Sequence, residues 1–264
     1  MKFYFIFLLL YANITRGQEW QAELMPGVAG YNGDLTEKRI SLKQLRPAVN
    51  FNLKYNSGDF INVRAGIAYG RVGADDKKSK DRGLQSRNLN FKTDIIELNL
   101  IVEVNLFDPE IYTSYPYVLG GIGVYHFNPF TYDKNNKKTY LRPLSTEGEG
   151  LSQFVGRKKY ALTQLCIPVG FGWKFTLKEK WDISYEMGVR ILFTDYLDDV
   201  SNSYVDLDVL AAVKGPKSAE LSYRGTAPIL YGANIRGNPA IKDFYYFSGI
   251  KIATNLKNIF KRDR

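Results

Sequence analysis

The sequence predicts an all-β fold, an eight-stranded antiparallel transmembrane β-barrel. Three observations lead there. Between Ile96 and Leu106 every even residue is apolar (Ile96, Leu98, Leu100, Val102, Val104, Leu106), while the odd ones include Glu97, Asn99, Glu103 and Asn105. A period of two marks a strand with one apolar and one polar face, and a tilted strand of about 9–11 residues crosses a bilayer. Two carboxylates and two amides are too polar for a packed sandwich core, but they suit a polar lumen with lipid outside. The pattern recurs along the chain, and the links between its repeats alternate short and long.

The elements follow in order. Met1-Lys2, an uncharged apolar run from Phe3 to Ala12 and a small-residue exit near Gly17–Gln18 read as a secretory signal peptide over 1–17. The run is too short to span as a helix. The barrel is expected over 18–256 and a basic periplasmic tail over 257–264. The first strand, Trp20 to Tyr31, is interrupted by Pro26, tolerable at a strand end or bulge. In the second, Val49, Phe51, Leu53 and Tyr55 oppose Asn50, Asn52 and Lys54. In the third, Ile61, Val63, Ala65, Ile67 and Tyr69 oppose Asn62, Arg64, Gly66 and Gly70. Ile96–Leu106 is the fourth. The fifth, Tyr115 to Phe127, carries Gly120, Gly121 and Gly123, which suit sharp curvature in a narrow barrel. In the sixth, Ile167, Val169, Phe171, Trp173 and Phe175 oppose Cys166, Pro168, Gly170, Gly172 and Lys174. In the seventh, Ile183, Tyr185, Met187, Val189, Ile191 and Phe193 oppose Asp182, Ser184, Glu186, Gly188 and Arg190. In the eighth, Tyr246, Ile250, Ile252 and Leu256 oppose Gly249, Lys251 and Asn255.

Asn56-Ser57-Gly58-Asp59, Phe107 to Ser114 and Lys178-Glu179-Lys180 read as tight turns by their brevity or their Gly, Pro, Asn and Asp content. The other links, roughly 32–44, 75–90, 129–161 and 196–242, are longer. Outer-membrane barrels sort short periplasmic turns from long extracellular loops in this way, and an even strand count puts both termini on the periplasmic side. Closure satisfies every backbone group in lipid. Eight strands enclose only enough space for side chains, so Lys54, Arg64, Arg190 and Lys251 are expected to face Glu97, Glu103 and Glu186. An interior charge network that plugs the lumen is the favoured reading, a proton or ion path the sharper alternative, and an open diffusion pore is not expected.

Composition agrees. The 19 Tyr and 16 Phe suit aromatic girdles at the two interfaces. No later segment offers 18 uninterrupted apolar residues, which excludes a helical inner-membrane protein. The net charge of +9, or +7 without Lys2 and Arg16, is dispersed, and points to anionic lipopolysaccharide or an acidic protein partner rather than nucleic acid. The single cysteine, Cys166, can form neither an internal disulfide nor a thiolate metal site and reads as a small buried filler.

Chemistry is sparse. The only histidine, His126, falls late in the fifth strand. Small-barrel lipid A deacylases carry a His-x-Ser pair in such a place, but here the run is His126-Phe127-Asn128, so an interfacial polar residue is the default. Asp195, Asp198, Asp199, Asp206 and Asp208 cluster in the last long loop without the glycine turn and closing glutamate of an EF-hand. They read as solvated, or salt-paired with the loop holding Lys134, Lys137 and Lys138, with calcium as the alternative. The glycines near Gly120 precede no helix, so no nucleotide loop is supported. No catalytic, cofactor-binding or metal-binding residue is assigned.

Several stretches resemble a family of small outer-membrane barrels of Bacteroidota-type bacteria that includes the PorG-like component of the type IX secretion system. They are Arg87 to Asp94 (RNLNFKTD), Pro116 to Pro129 (PYVLGGIGVYHFNP), Arg142 to Gly150 (RPLSTEGEG), Tyr160 to Gly172 (YALTQLCIPVGFG), Phe193 to Ser201 (FTDYLDDVS) and Gly237-Asn238-Pro239 before DFYYFSGIKI. Thr146-Glu147-Gly148 and Thr194 to Val200 are the most specific, and their loops either fold on one another over the barrel mouth or form a binding surface. The resemblance implies a non-enzymatic envelope component that links a periplasmic ring, built of a lipoprotein and its partner, to the outer membrane during protein secretion. It carries over no catalytic residue. Such barrels tend to finish on an aromatic, whereas here the last strand runs into Leu256 to Arg264, with Phe260 inside a basic tail. The alternatives are a lipid A-modifying enzyme using His126 and a general envelope-anchoring or ligand-binding barrel.

Overall fold

Alternating apolar and polar side chains do build strands, and the strands close. A computed structural model describes residues 19–36, 44–177, 181–226, 228 and 235–260. The expected signal peptide, the Lys178-Glu179-Lys180 turn and the end of the basic tail lie outside the described residues. Eight long strands, β1 (Glu19–Asn32), β2 (Arg46–Asn56), β3 (Ile61–Asp75), β4 (Asn90–Asn105), β5 (Ser114–His126), β8 (Thr163–Leu177), β9 (Trp181–Leu192) and β10 (Phe244–Asn255), pair antiparallel with their sequential neighbours, and β10 pairs back onto β1. The result is an all-β, closed, eight-stranded up-and-down barrel without a free edge in its wall.

Two further strands, β6 (Phe130–Tyr132) and β7 (Lys138–Tyr140), form a hairpin attached to β4 through Lys92 and Phe130. They correct the expected count of eight, because they lie inside the link read as loop from 129 to 161. Two of the other long links hold helices. Link 76–89 holds a 3-10 turn (Asp76–Lys78) and helix α1 (Arg82–Arg87). The last link holds α2 (Leu207–Lys214) and α3 (Pro216–Ser222). One helical turn, α4 (Leu256–Phe260), follows β10.

Two of the strand prolines, Pro26 and Pro168, leave their mark on the ladder. Pairing between β1 and β10 skips Met25 and Pro26, while the β1–β2 register runs through both residues. Pairing between β5 and β8 skips Gly121, Ile122, Ile167 and Pro168. Proline has no N–H to donate, so each interrupts pairing on one side only and β1 is continuous rather than broken.

Burial is inverted relative to a water-soluble core. The outward residues Phe51, Ile67, Leu98, Leu100, Ile122, Phe171 and Ile250 are exposed, whereas the inward Glu23, Lys54, Arg64, Glu97, Glu103, Lys174, Glu186, Arg190 and Lys251 are buried. Aromatic side chains, among them Trp20, Tyr55, Phe107, Tyr112 and Trp181, ring the short-turn end, with Trp20 against Tyr55 at 5.1 Å. Tyr246, expected on the outward face, has that parity but is buried, its ring lying across Gly30 of β1. The apolar core sits at the opposite, long-loop end. There Tyr125, Phe127, Tyr160 and Tyr196 succeed one another as a stacked column, beside Phe91, Tyr245, Phe247, Leu197 and Val200.

Candidate functional site

The middle of the bore is filled by one ionic network. Arg64 reaches Glu186 with two bonds, Nη1–Oε2 at 2.7 Å and Nη2–Oε1 at 2.6 Å, the bidentate geometry a guanidinium favours. Its Nη1 also lies 3.5 Å from both Glu23 and Glu103. Lys251 Nζ bridges Glu186 (3.0 Å), Glu103 (3.1 Å) and Glu23 (3.5 Å). Lys54 pairs with Glu23 at 3.2 Å and Lys174 with Glu103 at 2.6 Å. The Tyr117 hydroxyl donates to Glu186 at 2.7 Å. One layer towards the long loops, Glu97 accepts from Arg190 Nε (3.0 Å), from the Tyr245 hydroxyl (2.7 Å) and from Asn99 (2.8 Å). Isolated buried charges would be prohibitive, but paired and hydrogen-bonded ones are tenable. The expected set of Lys54, Arg64, Arg190, Lys251, Glu97, Glu103 and Glu186 is therefore brought together. Two charged members had not been foreseen in the network, Glu23 and Lys174. Glu23 has the inward parity in β1, and the apparent break at Pro26 obscured it.

Below this layer, at the short-turn end, lies a polar hollow of about 370 Å³, lined in part by Gln21, Lys54, Asn105, Lys174 and Asp182.

At the long-loop end the loops fold over the mouth and lock through the motifs singled out by resemblance. Thr146 donates to Asp199 Oδ2 at 2.5 Å, and Tyr160 to Asp199 Oδ1 at 2.5 Å. Glu147 accepts the backbone N–H groups of Ser201 and Asn202, each at 2.9 Å, and Arg236 Nη1 at 2.9 Å. Gly148, at φ +78, makes the turn that follows. Arg87 joins Asp76 to the backbone carbonyls of Arg236 and Asp34. Asn238 N–H donates to Asp34. Arg236, directly before Gly237-Asn238-Pro239, is the buried cation that the sequence reading missed.

The aspartates depart from their expected role. Asp195, Asp198 and Asp199 are buried, not solvated, and their contacts do not run to the loop of Lys134, Lys137 and Lys138. The chain after β9 turns in over the bore instead of outwards, which carries them under the cap. Asp198 accepts from the Tyr31 hydroxyl, which also lies 3.5 Å from Asp243, and Asp243 accepts from Leu197 N–H at 2.8 Å. Among the described residues neither oxygen of Asp195 meets a donor in full bonding geometry, and the neighbouring Ser201 only partly offsets its burial. Asp206 caps α2 by accepting from the N–H groups of Asp208 and Val209. Among the described residues no three carboxylates are placed to share a metal ion.

Burial, reinforced by neighbouring carboxylates, raises these acids. Asp195 is pushed up to about 7 by burial and by Asp34, and Glu149 to about 8 by burial, Asp199 and Glu147. Asp199 is pushed up to about 6 by burial, against the opposing pull of Arg236 and its two hydroxyl donors. Asp198 and Asp243 are held well above the usual carboxylate range, first by burial and then by the acids beside them.

His126 sits at the outward end of β5, exposed, with Nδ1 2.9 Å from Thr163 Oγ1 on β8. No carboxylate bonds to it among the described residues, so the pair lacks the third group that orients a catalytic base. Cys166 is buried against the Tyr245 hydroxyl, 3.8 Å away.

The fold has counterparts among solved structures. The Neisserial surface protein A aligns with a TM-score of 0.44 at 7% identity, over 91% of this chain and 100% of that one. The N-terminal β-barrel domain of Pseudomonas aeruginosa OprF aligns at 0.41 and 9%, over 91% and 100%. The attachment invasion locus protein Ail of Yersinia pestis aligns at 0.42 and 9%, over 91% and 99%, in its complex with the heparin analogue sucrose octasulfate. No curated protein sequence matches the chain. A family model described as a domain of unknown function, DUF6089, matches residues 1–212, and the chain belongs to that family.

Proposed function

We propose that the protein is a non-enzymatic barrel of a bacterial outer membrane, with its long loops outside, its short turns and termini in the periplasm, and a docking role in protein secretion. The observation that carries the membrane reading is the inverted burial. A continuous apolar surface encircles eight strands whose interior is ionic, and such a surface in water would be an association liability. Paired, buried side chains crowd the middle of the bore, which argues against a diffusion pore and for a structural part.

The docking role rests on the motif resemblance to PorG-like barrels. Its partners would be outer-membrane lipid and lipopolysaccharide on the outside, and the periplasmic ring lipoprotein with its partner on the inside. The test is a deletion strain of the source bacterium. The protein should fractionate with the outer membrane, ring proteins should copurify with it from detergent, and deletion should leave secreted cargo inside the cell. Normal export removes the docking role. Failure to fractionate with the outer membrane removes the membrane reading as well.

A further inference from the structure

We propose that Arg71, Lys92 and Lys138, on the outward face at the long-loop end, bind the phosphate of a phosphorylated glycolipid in the outer leaflet. The site rests on the outer-membrane reading and names one lipid partner for it.

Its position comes from register. Along β3 and β4 the last apolar outward pair is Tyr69 with Ile96; one step further out stands Arg71 opposite Asp94, and the next is Gly73 opposite Lys92. Two residues of strand span about 7 Å, so the cations begin where hydrocarbon gives way to headgroups. Lys92 in turn pairs with Phe130 of the β6–β7 hairpin, which carries Lys138 to the same place.

The cations are held at the wall. Lys138 Nζ lies 3.9 Å from the centroid of the Phe130 ring and 4.9 Å from that of Tyr140. Lys92 Nζ lies 5.0 Å from the Tyr132 centroid, and the Arg71 guanidinium carbon 5.9 Å from that of Phe130. A lysine whose task is only to escape hydrocarbon extends its ammonium towards water, whereas these lie back on aromatic faces. Phe130 itself is buried.

Asp94 answers part of the charge. It accepts from Arg71 Nε (2.6 Å) and Nη2 (3.0 Å) and from the Tyr69 hydroxyl (3.0 Å). Arg46 and Lys78 add positive charge around Lys92, and Asp75 adds one negative charge. The balance remains cationic at a lipid boundary, where charges are screened less than in bulk water. A phosphate satisfies guanidinium and ammonium together. Acyl chains attached to it would lie on Ile67, Tyr69, Ile96 and Leu98, all exposed directly below.

The experiment uses the full-length protein in detergent, with heat-modifiable gel migration as the check on folding. The probes are bisphosphorylated lipid A, the same lipid A stripped of phosphate, and inorganic phosphate, each titrated and read by native mass spectrometry. Wild type should retain bisphosphorylated lipid A, and the combined Arg71→Gln, Lys92→Gln, Lys138→Gln variant should lose about ten-fold or more in affinity while still migrating as a folded barrel. Asp94→Asn should bind at least as well as wild type, because it removes the competing carboxylate. Lys158→Gln, further along the same link and outside the hairpin, should bind as wild type does. Stripped lipid A should bind wild type and triple variant equally.

Equal affinity of wild type and triple variant for bisphosphorylated lipid A, or no preference for the phosphorylated form, overturns the proposal. Inorganic phosphate binding as tightly as lipid A overturns it too, in favour of a soluble anion. Absence from the outer membrane defeats the outer-membrane reading instead, so the two failures are told apart.

Discussion

Gly172 shows how one side chain can depend on the absence of another. A Cβ at this position would stand 2.2 Å from Cζ of Tyr117, the directly paired residue of β5. With only hydrogen there, the ring lies flat against the wall and sets its hydroxyl on Glu186 in the ionic network. Gly172→Val is expected to displace the ring and cost about 1–3 kcal/mol. Gly120→Val, where an added Cβ meets nothing within 4 Å, should leave urea unfolding of the refolded barrel nearly unchanged. Equal effects of the two would refute the close approach. At this scale the sequence spoke clearly for residues within the alternation, such as Arg64 and Glu186, because parity alone assigns their face. It was silent on Arg236, Tyr31 and Asp243, whose partners come from loops that carry no periodicity.

At the scale of the element, the wall should respond to charge by face. Leu100 points outward and is exposed, while Asn99 points inward beside Glu97. Leu100→Arg is expected to cost about 2–4 kcal/mol where the strand crosses the bilayer midplane. Asn99→Arg should cost much less, since the new cation meets a carboxylate. Unfolding midpoints in phospholipid vesicles measure both, and equal losses would contradict the assignment of faces.

Each barrel strand was legible where it crosses the apolar band and illegible beyond it. β3 runs to Asp75 and β4 starts at Asn90, whereas alternation was visible only as far as Gly70 and from Ile96. Outside lipid both faces of a strand can be polar, so the period-two signal disappears although the ladder continues. The β6–β7 hairpin, three residues to a strand, is too short to show a period at all. The pairing of the Thr146-Glu147 and Asp199 motifs could be named from sequence only as an alternative, because contacts between loops leave no spacing rule.

For the whole molecule, the loop cap is a proton-dependent structure. Carboxyls such as Asp195 and Glu149 have raised values in the fold, about 7 and about 8, against about 4 in an unfolded chain. The folded cap therefore holds more protons between these limits, and its stability falls as pH rises. The contribution is complete below about pH 4 and lost as pH passes through about 7 for Asp195 and about 8 for Glu149. Loop protection against protease or hydrogen exchange should decline from pH 5 to pH 9 while strand protection stays. Asp195→Asn should flatten the decline and restore on the order of 1–3 kcal/mol at alkaline pH, because an amide carries no charge to desolvate. A cap equally protected across the range would rule this out.

The hollow beneath the ionic layer, set against the folded loops at the other end, gives the molecule the character of a thimble. A small carbodiimide supplied from the turn side should reach the half-buried carboxyl of Asp182 in the hollow, while the same reagent supplied from the loop side meets folded polypeptide. One small protein thus carries two unlike ends: loops whose buried acids harden them in acid, and a wet polar cup among the turns.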